Sequence, residues 1–182
     1  MKIIETGIKD LFVIESQVFG DSRGYFSESW NKEIFRKNGI DFTPVQQNES
    51  SSCYGVIRGL HYQLNPFSQA KLVKVVLGEV LDVAVDLRKD SPTFGKHYSI
   101  ILSSKNKKQF FIPKGFAHGF SVLSENAIFS YLCDNFYNPD LERGIKYNDE
   151  FLDINWQIPE NEEIVSDKDK NNAIFLDAEK NF

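Results

Sequence analysis

Short alternating or continuous apolar stretches recur along the first two thirds of the chain, with turn-forming residues between them. Residues 79–87 show the clearest alternation, because Leu81, Val83 and Val85 would face one side of a strand while Asp82 and Ala84 face the other. Such closely spaced short strands are typical of a sandwich or barrel. The pattern predicts an all-β fold, a jelly-roll barrel of antiparallel strands with a few short helices. The predicted strands span residues 11–18, 71–77, 79–87, 98–102, 109–112, 119–123 and 127–132.

Helical signals are few. Residues 31–37 predict a short helix with Asn31 as its N-cap and Gly39 as its stop. After Pro139 the chain becomes polar with isolated aromatic and isoleucine anchors, and residues 167–182 predict a helical turn followed by a tail. No repeat, low-complexity tract or linker interrupts the chain, so residues 1–182 are expected to form one domain.

Composition and charge narrow the class of protein. The 21 basic and 26 acidic side chains leave a net charge of −5, which argues against a nucleic-acid partner, although a few arginines could still hold a phosphate. No apolar run is long enough to span a membrane, and the N-terminus lacks the apolar core of a signal peptide. Cys53 and Cys133 are far apart, so a reduced cytoplasmic protein is expected.

Only three histidines are present, and each can be weighed alone. His61 follows Arg58 in a glycine-containing segment, where the arginine could hold an anion while the histidine moves protons; the alternative is an ordinary polar strand end. For His118, a structural histidine bonded to backbone is the favoured interpretation. No histidines are paired at a spacing typical of metal ligands, so no metal site is predicted.

Two lysines interrupt an apolar strand. Lys71 and Lys74 are an odd number of residues apart, so one should face solvent and the other the interior, where an unpaired ammonium implies an anionic partner. The spacing does not decide which lysine is inside. Taken alone, Tyr131 is a core tyrosine and Asp169 belongs to a solvated charge run. The chain contains no nucleophile elbow, P-loop or dinucleotide fingerprint.

Taken in order, several segments resemble the dTDP-4-dehydrorhamnose 3,5-epimerase family, which are cupin-fold enzymes. The most specific matches are RGLHYQ at residues 58–63 and PKGFAHGF at residues 113–120. The resemblance covers nearly the whole chain in colinear order. The other matching segments are residues 21–28, 46–50, 71–75, 78–88, 91–95, 131–144 and 166–169.

The resemblance implies a mechanism. The family's substrate is a nucleoside-diphosphate 4-keto-6-deoxy sugar, whose protons beside the ketone can be removed. His61 matches the family's general base, and Asp169 matches the carboxylate that supports it. Lys71 matches the residue beside the keto oxygen, and Tyr131 the acid that returns a proton to the opposite face.

The resemblance also implies binding residues and partners. Arg23 and Arg58 match phosphate contacts, His118 a substrate contact and Tyr137 a pocket residue, and further positions match nucleotide or sugar contacts. These further positions are Phe26, Glu28, Gln46, Asn48, Glu142 and Lys168. The family uses no metal or redox cofactor and is homodimeric, with the N-terminal part of one subunit completing the neighbour's nucleotide site. The alternatives are epimerisation at C3 or C5 alone, ketone isomerisation, action on a GDP sugar, and a cupin that binds nucleotide sugars without catalysis.

Overall fold

A computed structural model describes residues 1–182 and contains fourteen strands, most of them in two sheets. In chain order the strands are β1 (Lys2–Glu5), β2 (Phe12–Glu15), β3 (Val18–Asp21), β4 (Gly24–Ser27), β5 (Gln46–Cys53), β6 (Val56–Gln63), β7 (Lys71–Leu77), β8 (Glu79–Asp86), β9 (His97–Ser103), β10 (Lys108–Ile112), β11 (Phe116–Val122), β12 (Asn126–Cys133), β13 (Glu142–Gly144) and β14 (Ile164–Val165). The helices are α1 (Lys32–Lys37) and α2 (Asp167–Lys170), with 3₁₀ turns at Pro139–Leu141 and Glu160–Glu162.

The strand order is that of two facing antiparallel sheets. The first sheet has the order β1-β2-β10-β7-β12-β5, and the second has the order β13-β6-β11-β8-β9. Every strand pair is antiparallel except β14, which lies parallel to β6. Strands β3 and β4 form a separate two-stranded hairpin. The predicted all-β, antiparallel fold with few short helices is therefore confirmed.

The main core lies between the two sheets. Val73 and Val75 of β7 pack there with Phe120 and Phe129, whose rings stack with centroids 4.3 Å apart. On β8, Ala84 faces this core while alternate residues face outward, as the sequence pattern predicts. Because side chains alternate across a strand, each sheet also presents an apolar outer face that needs a cover.

Short helices and the C-terminal segment cover those outer faces. Asn31 caps α1 through its side chain, as predicted, and Phe35 of this helix packs edge-on against Phe111 on the first sheet. Trp156 and Phe175 from the polar C-terminal third pack on the second sheet. The isolated anchors in that segment thus hold it against β6 and β8. Neither helix has the length and apolar character required to cross a lipid bilayer.

The structure differs from the sequence-based expectation at three places. Residues 11–18 form no single strand, because β2 ends at Glu15, where its pairing with β1 and β10 also ends. The polar, glycine-containing segment that follows at residues 19–24 belongs to the β3–β4 hairpin. Strand β5 was missed because its sequence is almost entirely polar; it is held by eight cross-strand pairs with β12.

Candidate active site

Strand β6 brings Arg58 and His61 to the same face although they are three residues apart. In the pairing of β6 with β11, His61 lies opposite His118 and Arg58 lies opposite Phe120. Three residues along β6 therefore correspond to two residues along β11. This is a β-bulge, which re-aims the side chains on one side of it. Gly59 lies within the bulge at φ +125°, and a Cβ there would come within 2.6 Å of the Gly119 Cα. Only glycine fits this position.

His61 and Asp169 form a hydrogen-bonded pair. The Nε2 atom of His61 lies 2.6 Å from Oδ1 of Asp169, and the backbone N–H of Gly59 donates to Oδ2 at 3.3 Å. Burial works to raise the pKa of Asp169, but hydrogen bonds from His61, Gly59 and Ser166 outweigh it and hold the pKa below its ordinary value. An ionised carboxylate only accepts, so Nε2 carries the hydrogen and Nδ1 keeps its lone pair. Nδ1 is therefore the atom of His61 that can take a proton.

Lys71 and Tyr131 face the same space from the opposite sheet. The Lys71 Nζ lies 5.9 Å from the centre of the Tyr131 ring, whereas Lys74 is on the other face of β7 and donates to Ser29 Oγ at 3.3 Å. Lys71 takes part in none of the ion pairs of the protein. Burial lowers the pKa of Lys71 and raises that of Tyr131. The odd spacing of the two lysines is resolved with Lys71 inside, where its ammonium is free for an anion.

These side chains line one cavity between the two sheets. His61 enters it from the second sheet, and Lys71 and Tyr131 enter it from the first. The lining residues are Gln46, Asn48, His61, Tyr62, Gln63, Gln69, Lys71, Tyr131, Tyr137 and Glu142. Sequence reasoning missed Tyr62, Gln63 and Gln69. The spacing could have found Gln63, because it lies two residues from His61 on the same strand.

Glu142 holds two further predicted residues at the cavity. Its Oε2 atom accepts hydrogen bonds from the Tyr137 hydroxyl at 2.9 Å and from the Lys168 ammonium at 2.6 Å. Burial works to raise the pKa of Glu142, but these two hydrogen bonds outweigh it and leave the pKa below its ordinary value. The Lys168 side chain is 58% exposed, so it stands at the rim and offers a cation to a ligand entering from solvent.

Arg58 supplies a second cation near the cavity. Its Nε atom donates to the Ser52 hydroxyl at 3.1 Å, which orients the guanidinium. The positive charge of Arg58 also opposes the effect of burial on the Tyr131 pKa. The terminal guanidinium nitrogens of Arg58 form no ion pair with an acidic side chain. They are free to bind phosphate oxygens.

Arg58 and Lys168 are not among the lining residues, and three further predicted binding residues do not line this cavity in a single chain. Arg23 and Phe26 lie on or beside the β3–β4 hairpin, and Glu28 follows it. The Arg23 side chain is 88% exposed and pairs only with Asp21. The hairpin pairs with neither large sheet, so its register cannot carry these side chains to His61.

His118 is also absent from the cavity lining. It is buried, its Nε2 lies 3.0 Å from both carboxylate oxygens of Asp82, and its ring stacks on Phe129. These surroundings are typical of a structural histidine. Its hydrogen-bond partner is a carboxylate, whereas a backbone group was expected. Asp82 was not singled out in the sequence, although an acidic residue on the inward face of β8 was a visible signal.

Comparison with known proteins decides the family. A sequence model described as dTDP-4-dehydrorhamnose 3,5-epimerase matches residues 5–177. The chain belongs to this family. Its members are cupin-type, in agreement with the two-sheet barrel found here.

Individual relatives match this chain over nearly their whole length. The dTDP-4-dehydrorhamnose 3,5-epimerase of Shigella flexneri is 50% identical over 182 residues, covering 98% of both chains. The crystal structure of the enzyme from Elizabethkingia anophelis is 53% identical with a TM-score of 0.93, covering 97% of both chains. The Legionella pneumophila enzyme, solved in complex with dTDP-4-keto-L-rhamnose, is 48% identical with a TM-score of 0.91, covering 95% of this chain and 92% of that one.

Proposed function

We propose that this protein is a dTDP-4-dehydrorhamnose 3,5-epimerase, which converts dTDP-4-dehydro-6-deoxyglucose into dTDP-4-dehydrorhamnose. The observation that carries the proposal is the cavity in which His61 and Tyr131 enter from opposite sheets. A planar enolate held between the sheets would meet a base on one face and an acid on the other. Inversion of a carbon requires that arrangement. The ligand of the Legionella relative is the matching keto sugar.

Proton removal uses three groups of the cavity. Nδ1 of His61 takes the proton from the carbon beside the ketone, and the C–H electron pair moves into a carbon–carbon double bond as the carbonyl oxygen becomes negative. The Lys71 ammonium stabilises that oxygen, a contribution of about 3 kcal/mol or more when a group is positioned for it. Asp169 stabilises the imidazolium and fixes its orientation.

Reprotonation uses the opposite sheet. Burial raises the pKa of Tyr131, which keeps its phenol protonated and able to donate. The phenol delivers its proton to the face away from His61, the double-bond electrons form the new C–H bond, and the ketone is restored. Solvent then returns a proton to Tyr131 and removes one from His61. The same cycle at the second carbon beside the ketone completes the double epimerisation. The cycle transfers protons and includes no oxidation or reduction.

Deuterium incorporation tests this proposal directly. Purified protein is incubated in deuterated water with dTDP-4-dehydro-6-deoxyglucose, and NMR follows the C3 and C5 positions. Exchange and inversion at both carbons are expected. Exchange at C3 or C5 alone would instead make the protein a mono-epimerase, and binding of the sugar with no exchange would make it a non-catalytic binding protein.

The variant Tyr131→Phe separates the two half-reactions. It removes the proton that the proposed acid delivers but leaves His61 and Lys71 in place. Inversion is expected to fall about 10²-fold or more, while deuterium exchange without inversion falls much less. NMR measures both rates in one sample. Equal losses of exchange and inversion would contradict the assignment of Tyr131 as the acid.

For nucleotide binding we infer a set of polar residues around the cavity. Arg58 and Lys168 provide cations for the diphosphate, and Gln46 and Asn48 of β5 provide amide groups. Tyr137 and Glu142 close one side. The dTDP group is the expected nucleotide because it is the one bound by the Legionella relative.

We infer a homodimer in which each hairpin completes the partner's site. The β3–β4 hairpin exposes Phe19, Tyr25 and Phe26, each more than half exposed, which is typical of a surface that another protein covers. The same hairpin carries Arg23, whose guanidinium would supply a phosphate contact. Free thiols at Cys53 and Cys133 further favour a reducing compartment, and we place the enzyme in the cytoplasm.

Complementation between inactive subunits tests the exchange of hairpins. A subunit with Arg23→Ala and Phe26→Ala is coexpressed with a subunit carrying His61→Ala. If the hairpin serves the partner, each mixed dimer has one complete site, and random pairing restores about a quarter of wild-type activity. If the hairpin serves its own chain, no site is complete and activity stays at the level of the separate variants.

A further inference from the structure

Asp169, the carboxylate of the His61–Asp169 pair, lies in a helix that is too short to be stable by itself. Helix α2 has four residues, and helices of this length are not stable in isolation because nucleation costs more than so few bonds return. Asp169 is the buried residue of this single turn. Its orientation must therefore come from contacts made by its neighbours.

Besides the hydrogen bond between Lys168 and Glu142, three contacts hold this turn in place. Strand β14, immediately before it, pairs in parallel with β6, placing Ile164 beside Val56 and Val165 beside Ile57. The Gly59 N–H donates to the Asp169 carboxylate at 3.3 Å. The third contact is the Ser166 hydroxyl, which accepts the Asp169 backbone N–H at 3.1 Å as the N-cap of α2. Of the three, the third is the one in which a side chain fixes the Asp169 backbone.

We propose that Ser166 is a positioning residue of this enzyme: its hydroxyl fixes the backbone of Asp169 so that the carboxylate meets Nε2 of His61. The inference rests on the proposed function and assigns Ser166 no contact with substrate. Ser166 is not among the residues that line the cavity, so it can act only through the residues of α2, of which Asp169 is the buried one.

The substitution Ser166→Ala tests the proposal. Without the acceptor the first turn frays, and a misplacement of about 1 Å in a catalytic group can cost about 10²-fold in rate. We expect kcat to fall roughly 10- to 100-fold, while the Kd for dTDP, to which Lys168 of the same turn is proposed to contribute, changes by a smaller factor than kcat. Ser166→Thr keeps the oxygen acceptor and is expected to restore most of kcat.

Ser103 provides a matched control. Its hydroxyl accepts the backbone N–H of Asn106 at 3.0 Å, so it makes the same kind of bond across the same three-residue span. It is the last residue of β9, and neither β9 nor the connection from β9 to β10 contributes a residue to the cavity lining. Ser103→Ala is therefore expected to lower the thermal midpoint but to keep wild-type kcat. Ser166→Gly is a second test variant, since glycine tolerates the N-cap position but offers no hydroxyl.

The outcomes separate the two proposals. A wild-type protein that exchanges no deuterium would overturn the proposed function. If the wild type is active, the role of Ser166 is refuted by wild-type kcat in both the alanine and glycine variants. It is refuted equally by matching kcat losses in Ser166→Ala and Ser103→Ala, or by no recovery in the threonine variant.

Discussion

Replacing His61 by alanine is expected to abolish turnover while dTDP binds almost as tightly as before. The change removes Nδ1, the only histidine nitrogen that the cavity presents with a free lone pair, and leaves the residues proposed to hold the nucleotide. Loss of a general base costs about 10²–10⁴-fold in rate. NMR in deuterated water measures exchange and inversion, and calorimetry measures the Kd of dTDP.

His97 offers the matched control for this substitution. It begins β9 and does not line the cavity, so His97→Ala should retain wild-type exchange. A His61→Ala protein that still exchanges deuterium at C3 and C5 would remove the base from the mechanism. A large loss of dTDP affinity with unchanged kcat would make His61 a binding residue.

Replacing Lys71 by methionine is expected to give the second largest effect. Methionine has a similar length but carries no charge, so the negative oxygen of the enolate loses its stabilising cation. Removing one such group typically costs about 10²–10³-fold in kcat. Lys74→Met, three residues along the same strand, removes an equal charge from the outer face and should leave kcat unchanged.

The pH dependence of kcat/KM adds an independent measurement of Lys71. Burial lowers the pKa of Lys71, so its ammonium loses its proton at a lower pH than an exposed lysine does. Activity should therefore decline on the alkaline side before the ordinary lysine range is reached. Lys71→Arg keeps its charge throughout that range, and any remaining activity should extend to higher pH. Equal activities and pH profiles for the Lys71→Met and Lys74→Met variants would contradict the role given to Lys71.

Local sequence patterns were sufficient to predict much of the barrel. The alternation along residues 79–87 predicts which side chains of β8 face each side, and Asn31 predicts the start of α1. These features depend on neighbours a few residues away, which the chain itself displays. Strand β5 shows the limit, because its polar side chains carry no burial signal and its place is set by pairing with β12.

Local sequence patterns were not sufficient to predict which residues share the cavity. A regular strand would send Arg58 and His61 to opposite faces, and only the bulge against β11 puts them together. Asp169 reads as one charge in a solvated run, yet it is buried beside His61 because β14 pairs with β6 more than 100 residues away. His118 matches a substrate contact in its motif, but Asp82 and Phe129 enclose it.

By itself, the sequence determined the β-rich class, the short capped helix and, through its motifs, the family and the residue types of the site. Tertiary structure alone decided which lysine faces inward, which atom of His61 is left free and which predicted residues share a cavity. The physical reason is range: propensity, alternation and capping act between neighbours in the chain. The cavity is made by strand register and burial, which join segments that the chain order keeps apart.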